Sequence, residues 1–454
     1  MLSLLAGAVG ADHVTDDPDV LAARSVDHTG RYRGRACALV RPGSPGEVAA
    51  VLRICRDARA HVTVQGGRTS LVAGTVPEHD DVLLSTERLN TVGAVDTVER
   101  RVSAGAGATL AAVQHAAAAA GLVFGVDLSA RDTATVGGMA STNAGGLRTV
   151  RYGTMGEQVI GLDVALPDGS LLRRHSRVRA DNTGYDLPAL FVGAEGTLGV
   201  ITGLDLRLRR DPAHRAAAVG GFADLDALID AVRSLSDVDG IAALELLDAR
   251  AAALTAAHVG VPAPVRGAWM LLVEVVGDDE QTERLAALLA QAKLCAEPAV
   301  GVDAAARQRL WRVREAVSEI LGVHGPPLKF DVSLPLAAVA GFAAGAEALV
   351  GRHAADGLPV LFGHIGEGNL HCNVLGCPAG QEAGLYAAMM DLIAGCGGNV
   401  SSEHGVGSRK RAYLAMSREP ADIAAMRTVK AAFDPTGYLN AAVLFDPDAP
   451  DSRC

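Results

Sequence analysis

The chain has 454 residues, 49% hydrophobic and 20% charged, with a net charge of −11; that length exceeds one ordinary core and implies two or more domains. The acidic balance argues against nucleic acid as a general partner, and any anionic substrate must be met by a local cationic pocket. Seven cysteines, none in a Cys-x-x-Cys pair, fit a reduced, cytoplasmic compartment and carry no iron–sulfur signature. No run is apolar for long enough to span a bilayer.

Met1 to Gly10 is apolar but lacks a basic leading region, and Asp12, Asp16 and Asp17 follow; a first helix is expected rather than a signal peptide. Cys37 to Val40 reads as a strand. Ser44-Pro45-Gly46-Glu47 reads as a capping box with proline at the first helical position. Val48, Val51, Leu52 and Cys55 recur at i, i+3, i+4 and i+7, one buried helix face. Val62 to Val64 returns as a strand and runs into Gln65-Gly66-Gly67-Arg68-Thr69-Ser70. Such a turn can aim backbone N–H groups at a phosphate, but taken alone it reads as a plain tight turn. Val82 to Thr86 and Arg101 to Ala104 are further strands. Gly105-Ala106-Gly107 does not extend to G-x-G-x-x-G, and no Walker A pattern occurs. Leu110 to Ala120 is an alanine-rich helix ending at Gly121.

A second glycine cluster runs from Thr135 to Gly146. Its small residues let a backbone lie against a large flat ligand. Val159 to Ala165 and Ser170 to Arg173, split by Pro167-Asp168-Gly169, form a hairpin. Asp181-Asn182-Thr183-Gly184-Tyr185-Asp186 then leads to a third cluster, Gly193-Ala194-Glu195-Gly196-Thr197-Leu198-Gly199-Val200-Ile201.

Pro212 marks a boundary. Phe222 to Leu235 is helical by period, Met270 to Val275 is a strand, and Glu283 to Lys293 is helical. Leu310 to Ser318 is a helix on which Arg314 and Ser318 lie four apart on one face. Lys329-Phe330-Asp331-Val332-Ser333 is a strand of alternating polarity. Lone cations such as Arg314 and Lys329 ordinarily sit on a solvated face.

Phe362-Gly363-His364-Ile365-Gly366-Glu367-Gly368-Asn369-Leu370-His371 holds two histidines seven residues apart in a glycine-broken, hairpin-like segment. Ser402-Glu403-His404-Gly405 adds a carboxylate and a third histidine. Imidazole and carboxylate are usual ligands of a borderline divalent metal. On one regular strand, residues seven apart face opposite ways, so the glycines must bend the chain if both rings are to converge. Otherwise these are two unrelated histidines in a tight loop. His404 can be a further ligand, a base or a structural histidine.

The three glycine clusters, in this order, resemble the FAD domain of the vanillyl-alcohol oxidase / p-cresol methylhydroxylase flavoproteins. Asn143-Ala144-Gly145-Gly146-Leu147-Arg148, Arg151-Tyr152-Gly153 and Asp181 to Asp186 are similar to the FAD-linked D-2-hydroxyacid dehydrogenase family, on its D-2-hydroxyglutarate dehydrogenase branch. D-lactate dehydrogenases and glycolate oxidase flavoprotein subunits come next. The likeness runs from about Val14 to Leu444. It implies an α+β architecture: a two-subdomain PCMH-type FAD-binding domain over 1–212, an α+β substrate (cap) domain with the metal site over 213–405, and a short helical C-terminal segment, 406–454, returning to the FAD domain.

The resemblance also implies roles. Gly66, Gly67, Arg68, Thr69, Ser70 and Leu71 would hold FAD, as would Thr135, Gly137, Gly138, Thr142, Asn143, Gly145 and Gly146. Glu195, Gly196, Gly199, Ile201 and Asn440 would complete that pocket. The first loop has no histidine where some relatives attach flavin, so FAD is expected to be non-covalent. Arg68 stands where close relatives often have asparagine. His364, His371 and Glu403 match metal ligands, zinc in the leading expectation, and His404 the catalytic histidine. Glu367 replaces an aspartate common in that loop. Arg314, Ser318, Lys329 and Asn373 match substrate-binding positions.

The implied reaction is oxidation of a D-2-hydroxy acid (of D-2-hydroxyglutarate, D-malate or D-lactate type) to the 2-oxo acid, with hydride passing to the flavin. A separate electron acceptor is implied: an electron-transfer flavoprotein, a quinone or a cytochrome. The resemblance is compatible with a homodimer. Two alternatives remain at this stage: a non-catalytic flavin subunit of an oxidase complex, and a non-redox flavoprotein resembling alkylglycerone-phosphate synthase.

Overall fold

Ser44 Oγ accepts from the Glu47 N–H at 3.2 Å and starts the helix Pro45–Asp57. The Glu47 carboxylate reaches one residue further back than in a full capping box and accepts from the Gly43 N–H at 2.7 Å. The predicted face of this helix, Val48, Val51, Leu52 and Cys55, is fully buried. The computed structural model describes residues 1–175, 178, 181–378 and 380–446. Its contacts divide the chain into two units. One comprises Met1–Gly145, Thr154–Arg210 and Glu403–Cys454; the other comprises Gly146–Gly153 and Asp211–Ser402.

In the first unit, β1 (Val14–Thr15), β2 (Ala36–Val40), β3 (Val62–Gln65) and β4 (Asp81–Ser85) form a sheet of order β1-β2-β4-β3. β4 pairs in parallel with both β2 and β3. All its residues are buried, as a parallel strand between covered faces requires. After β5 (Arg101–Gly105) comes the helix Leu110–Ala119, and Gly121 leaves it at φ 70°. The short β6 (Leu122–Val123) follows. β7 (Val159–Ala165) and β8 (Leu171–His175) form the predicted hairpin, with Gly169 at φ 80°. β9 (Val200–Arg207) joins them in an antiparallel sheet of order β5-β9-β7-β8, and β10 (Arg209–Arg210) pairs with β6. The second glycine cluster contains a helix, Val136–Ser141, whose N-cap Thr135 Oγ1 accepts from the Gly138 N–H at 3.4 Å. A run this rich in glycine does not announce a helix by propensity; the threonine cap is the local signal.

The second unit is built on β11 (His214–Phe222), β12 (Ile241–Asp248), β13 (Trp269–Gly277), β14 (Ala299–Gly301), β15 (Leu328–Ser333), β16 (Leu358–Gly363) and β17 (Asn369–Leu375). They form one seven-stranded sheet, β14-β11-β13-β12-β16-β17-β15. Every residue of β12 is buried, so its two acids, Glu245 and Asp248, have no solvent to meet. Phe222 ends a strand rather than starting a helix; Asp224 caps the helix Leu225–Ser236 that follows. The helix predicted over Glu283–Lys293 is shorter, Thr282–Leu289. Gly146–Gly153 is tied in by Arg148, whose Nε and Nη2 donate to Glu274 at 2.8 and 3.2 Å beside Trp311. Burial alone would raise the Glu274 pKa, but Arg148 and the Trp311 N–H outweigh it and hold the carboxyl below its ordinary range.

Candidate active site

Strand alternation puts Asn369, His371 and Asn373 of β17 on one face. Directly opposite, in antiparallel register, stand Ser333, Asp331 and Lys329 of β15. The two strands therefore present one shared polar face. β16 ends at Gly363, a short turn over Ile365–Glu367 follows, and Gly368 reverses the chain at φ 69°. A Cβ on Gly368 would stand 2.2 Å from the Leu334 carbonyl oxygen, so only glycine fits. His364 and His371 thus sit on two arms of a hairpin, with ring centroids 5.3 Å apart and ring planes at 90°. The opposite-face problem of a single strand does not arise.

Both histidines are at least nine-tenths buried. His364 Nδ1 lies 2.7 Å from Glu245 Oε1, and the other Glu245 oxygen accepts from Arg314 Nε at 2.7 Å. The Arg314 guanidinium carbon lies 4.7 Å from the centre of the Phe362 ring. A carboxylate on Nδ1 selects the tautomer with its proton there and leaves Nε2 as a lone-pair donor. His371 Nδ1 lies 3.6 Å from Asp331 Oδ1, beyond hydrogen-bond length. Asp331 also accepts from Asn369 Nδ2 at 3.3 Å and from the Ser402 N–H at 3.2 Å. Ser333 Oγ and Ser402 Oγ are 2.5 Å apart. Ser402 is thereby held to β15, and the chain presents Glu403 and His404 as its next two residues. Asp331, His371, Glu403 and His404 each offer one donor atom, all within 4.8 Å of one another. This mixed nitrogen and oxygen set suits a borderline divalent cation. His371 and Glu403 belong both to this group and to the expected ligand set. Asp331 and His404 are additional donors, and His364 stands outside the group.

Asn373 is 2% exposed, and its Nδ2 has no hydrogen-bond partner. A buried amide donor left unpaired costs about 1–3 kcal/mol, which a polar ligand would offset. Lys329 is its cross-strand neighbour. Arg314, on the helix Ala304–Ile320, is buried with Nε committed to Glu245. Ser318, one turn on, is exposed, so these two residues do not share the depth that their spacing suggests.

Sequence reasoning passed over Asp331 and Glu245 as site residues. Asp331 had a signal, since it alternates with Lys329 on one strand face. Glu245 had a weaker one, a lone acid in an apolar run. Glu245→Gln should weaken divalent-metal affinity about 10–100-fold, the usual effect of losing the carboxylate behind a ligating histidine. Competition with a chromogenic chelator measures this. Unchanged affinity would leave Glu245 a packing role only.

In the first unit the glycine clusters pack backbone to backbone. A Cβ on Gly67 would stand 1.9 Å from the Thr133 carbonyl oxygen, and one on Gly137 would stand 2.5 Å from Ala106 Cβ. Each cluster carries one non-glycine residue in left-handed conformation: Arg68 at φ 56°, Asn143 at φ 51° and Glu195 at φ 50°. Such positions cost about 1–3 kcal/mol each and concentrate at ligand clamps. Closely packed loops with strained, partly exposed backbone at Arg68 and Asn143 fit a dinucleotide held through main-chain groups.

Arg68 Nη1 donates to the Ala23 carbonyl at 3.1 Å, so part of its guanidinium serves the protein. Ser70 Oγ accepts from the Val72 and Gly74 N–H groups, both at 3.3 Å. Each polar group of Glu195, an expected cofactor contact, has a partner within the protein. Its N–H donates to the Ser141 carbonyl at 2.7 Å, and its own carbonyl accepts from Asn440 Nδ2 at 2.7 Å. Its carboxylate oxygens accept from the Val406 and Gly407 N–H groups, each at 2.8 Å. Burial raises the Glu195 pKa, with those N–H groups and Lys410 opposing. The Asn440 side chain is likewise engaged, its Oδ1 accepting from the Val64 N–H at 2.8 Å.

Comparison with known proteins adds an independent line. Residues 211–444 match the model for the C-terminal domain of FAD-linked oxidases, and residues 36–174 match an FAD binding domain. Mitochondrial D-2-hydroxyglutarate dehydrogenase of Bos taurus is 35% identical, over 94% of this chain and 80% of that protein. The D-2-hydroxyglutarate dehydrogenase of Stutzerimonas stutzeri is 33% identical, over 95% and 96%. D-2-hydroxyglutarate–pyruvate transhydrogenase of Saccharomyces cerevisiae is 32% identical, over 93% and 89%. Among solved structures, substrate-bound p-cresol methylhydroxylase superposes with a TM-score of 0.83 at 16% identity, covering 99% of this chain and 97% of the other. Alkyldihydroxyacetonephosphate synthase gives 0.72 at 16% identity, covering 94% and 82%.

Proposed function

This chain belongs to the FAD-linked oxidase family and is an FAD-dependent oxidoreductase, and from that membership we propose that it oxidises a D-2-hydroxy acid to the 2-oxo acid with the help of a divalent metal, zinc in the first instance. The observation that carries the metal is the group Asp331, His371, Glu403 and His404, whose donor atoms lie within 4.8 Å of one another, with the His364 ring, its Nδ1 on Glu245, beside His371. When bound, FAD supplies the two-electron acceptor and the metal supplies a Lewis acid that lowers the pKa of the substrate hydroxyl. His364, His371 and Glu403 hold the metal, with Asp331 in reserve as a donor. His404 takes the hydroxyl proton. Lys329 and Arg314 orient carboxylate through charge-assisted hydrogen bonds, and the Asn373 amide donates beside Lys329. Two cations favour a dicarboxylate such as D-2-hydroxyglutarate over D-lactate, in line with the names of the relatives. A non-redox transfer rests on likeness of fold alone, which does not specify chemistry.

Anaerobic mixing of the FAD-loaded, metal-replete enzyme with D-2-hydroxyglutarate, D-malate, D-lactate and the L-enantiomers tests this reading. The D-acids, the dicarboxylates foremost, should bleach the flavin, and the L-acids should not. A flavin that no D-2-hydroxy acid reduces would sink the proposal. The first glycine loop carries Arg68 and no histidine, so acid precipitation should release the flavin to the supernatant. Yellow colour staying in the pellet would overturn the non-covalent attachment.

A further inference from the structure

Glu195 is an acid buried in the third glycine cluster, with φ 50° and 8% exposure. Burying a carboxylate costs several kcal/mol unless its oxygens are matched. Here the match is made by the N–H groups of two successive residues, Val406 and Gly407, at 2.8 Å each. Those residues follow Glu403 and His404 by only a few bonds. The turn that carries them is shaped around the acid. Gly405 sits at φ 79°, and a Cβ there would stand 2.9 Å from the Glu195 carboxyl carbon. Gly407 sits at φ 55°, and a Cβ there would stand 2.1 Å from the Val72 carbonyl oxygen. Glu195 itself is fixed by Ser141 and, through Asn440, by Val64. Through its backbone and its side chain together, one residue thus links Ser141 and, by way of Asn440, Val64 to the segment after His404.

We infer that Glu195 is a positioning residue: it sets the backbone of Gly405–Gly407 and thereby the placement of Glu403 and His404. The inference rests on the roles proposed above for those two residues. Its chemistry is specific to two acceptors facing two donors. A glutamine can accept one of the N–H groups, but its amide then turns a donor toward the other.

The test compares Glu195→Gln with wild type as FAD-loaded enzymes. Flavin content should hold. Hydrogen exchange of the peptide spanning 403–410 should accelerate, zinc affinity measured by chelator competition should fall, and kcat should drop about 10–100-fold, the range for losing a residue that supports a metal ligand, with KM changing less. Unchanged exchange, or unchanged kcat and zinc affinity, would overturn the inference. If Glu195→Gln does not fold, Gly405→Ala presses a methyl group on the same carboxylate and should lower kcat in the same way; normal kcat there would also overturn it. His404→Ala separates the two ideas. Full turnover with metal bound in that variant defeats the roles themselves. Faster exchange in Glu195→Gln with normal kcat, in an enzyme that does need His404, defeats only the positioning role.

Discussion

His371→Ala is expected to lose bound metal and nearly all turnover while keeping FAD. The imidazole stands on the buried strand β17, opposite Asp331 and 5.3 Å, centre to centre, from the His364 ring. A metal contributes several kcal/mol of stabilisation to developing alkoxide charge. At tenfold per 1.36 kcal/mol, kcat/KM should fall about a thousandfold or more. Apart from Gly146, the glycine clusters expected to hold FAD belong to the other unit, so flavin content serves as the internal control. Chelator treatment of wild type should reproduce the loss, and zinc, manganese or cobalt should restore it. None of them should restore His371→Ala. Elemental analysis showing full activity in a metal-free preparation would refute the metal role.

The second large effect is expected at His404. Its neighbour Glu403 is a proposed ligand, and both belong to the donor group with Asp331 and His371. A base and a ligand make different predictions for one variant. As the base, His404→Ala should cut kcat by about 10²–10⁴-fold with metal and flavin both retained, and added imidazole should recover part of the rate. Loss of metal would reassign His404 to the ligand set. Near-normal kcat with metal present would mean that the proton leaves by another route. Arg314→Ala and Lys329→Ala should act more weakly, about ten- to a thousand-fold on kcat/KM, as for a charge-assisted contact. Arg314→Ala carries an added cost, because it also removes the donor that holds Glu245. Its effect on zinc affinity should therefore exceed that of Lys329→Ala.

Local chemistry was written in adjacent residues. The buried face of Pro45–Asp57, the Gly121 helix stop, the β7–β8 turn at Gly169 and the alternation of β15 each depend on neighbours within one element. The glycine clusters and the histidine segment were visible for the same reason, and the resemblance they carry named the cofactor and the reaction. The strand register was not visible. Asp331 meets His371 only because β15 pairs with β17 at that offset, and a slip of one residue would have turned it to the opposite face. Glu245 lies 119 positions from His364, and Glu195 lies 211 from Val406. No periodicity reaches across such gaps. Hydrophobic pattern determines which residues go inside, but the hydrogen-bond partner of a buried acid depends on how whole strands and loops pack, and that only the tertiary structure decides.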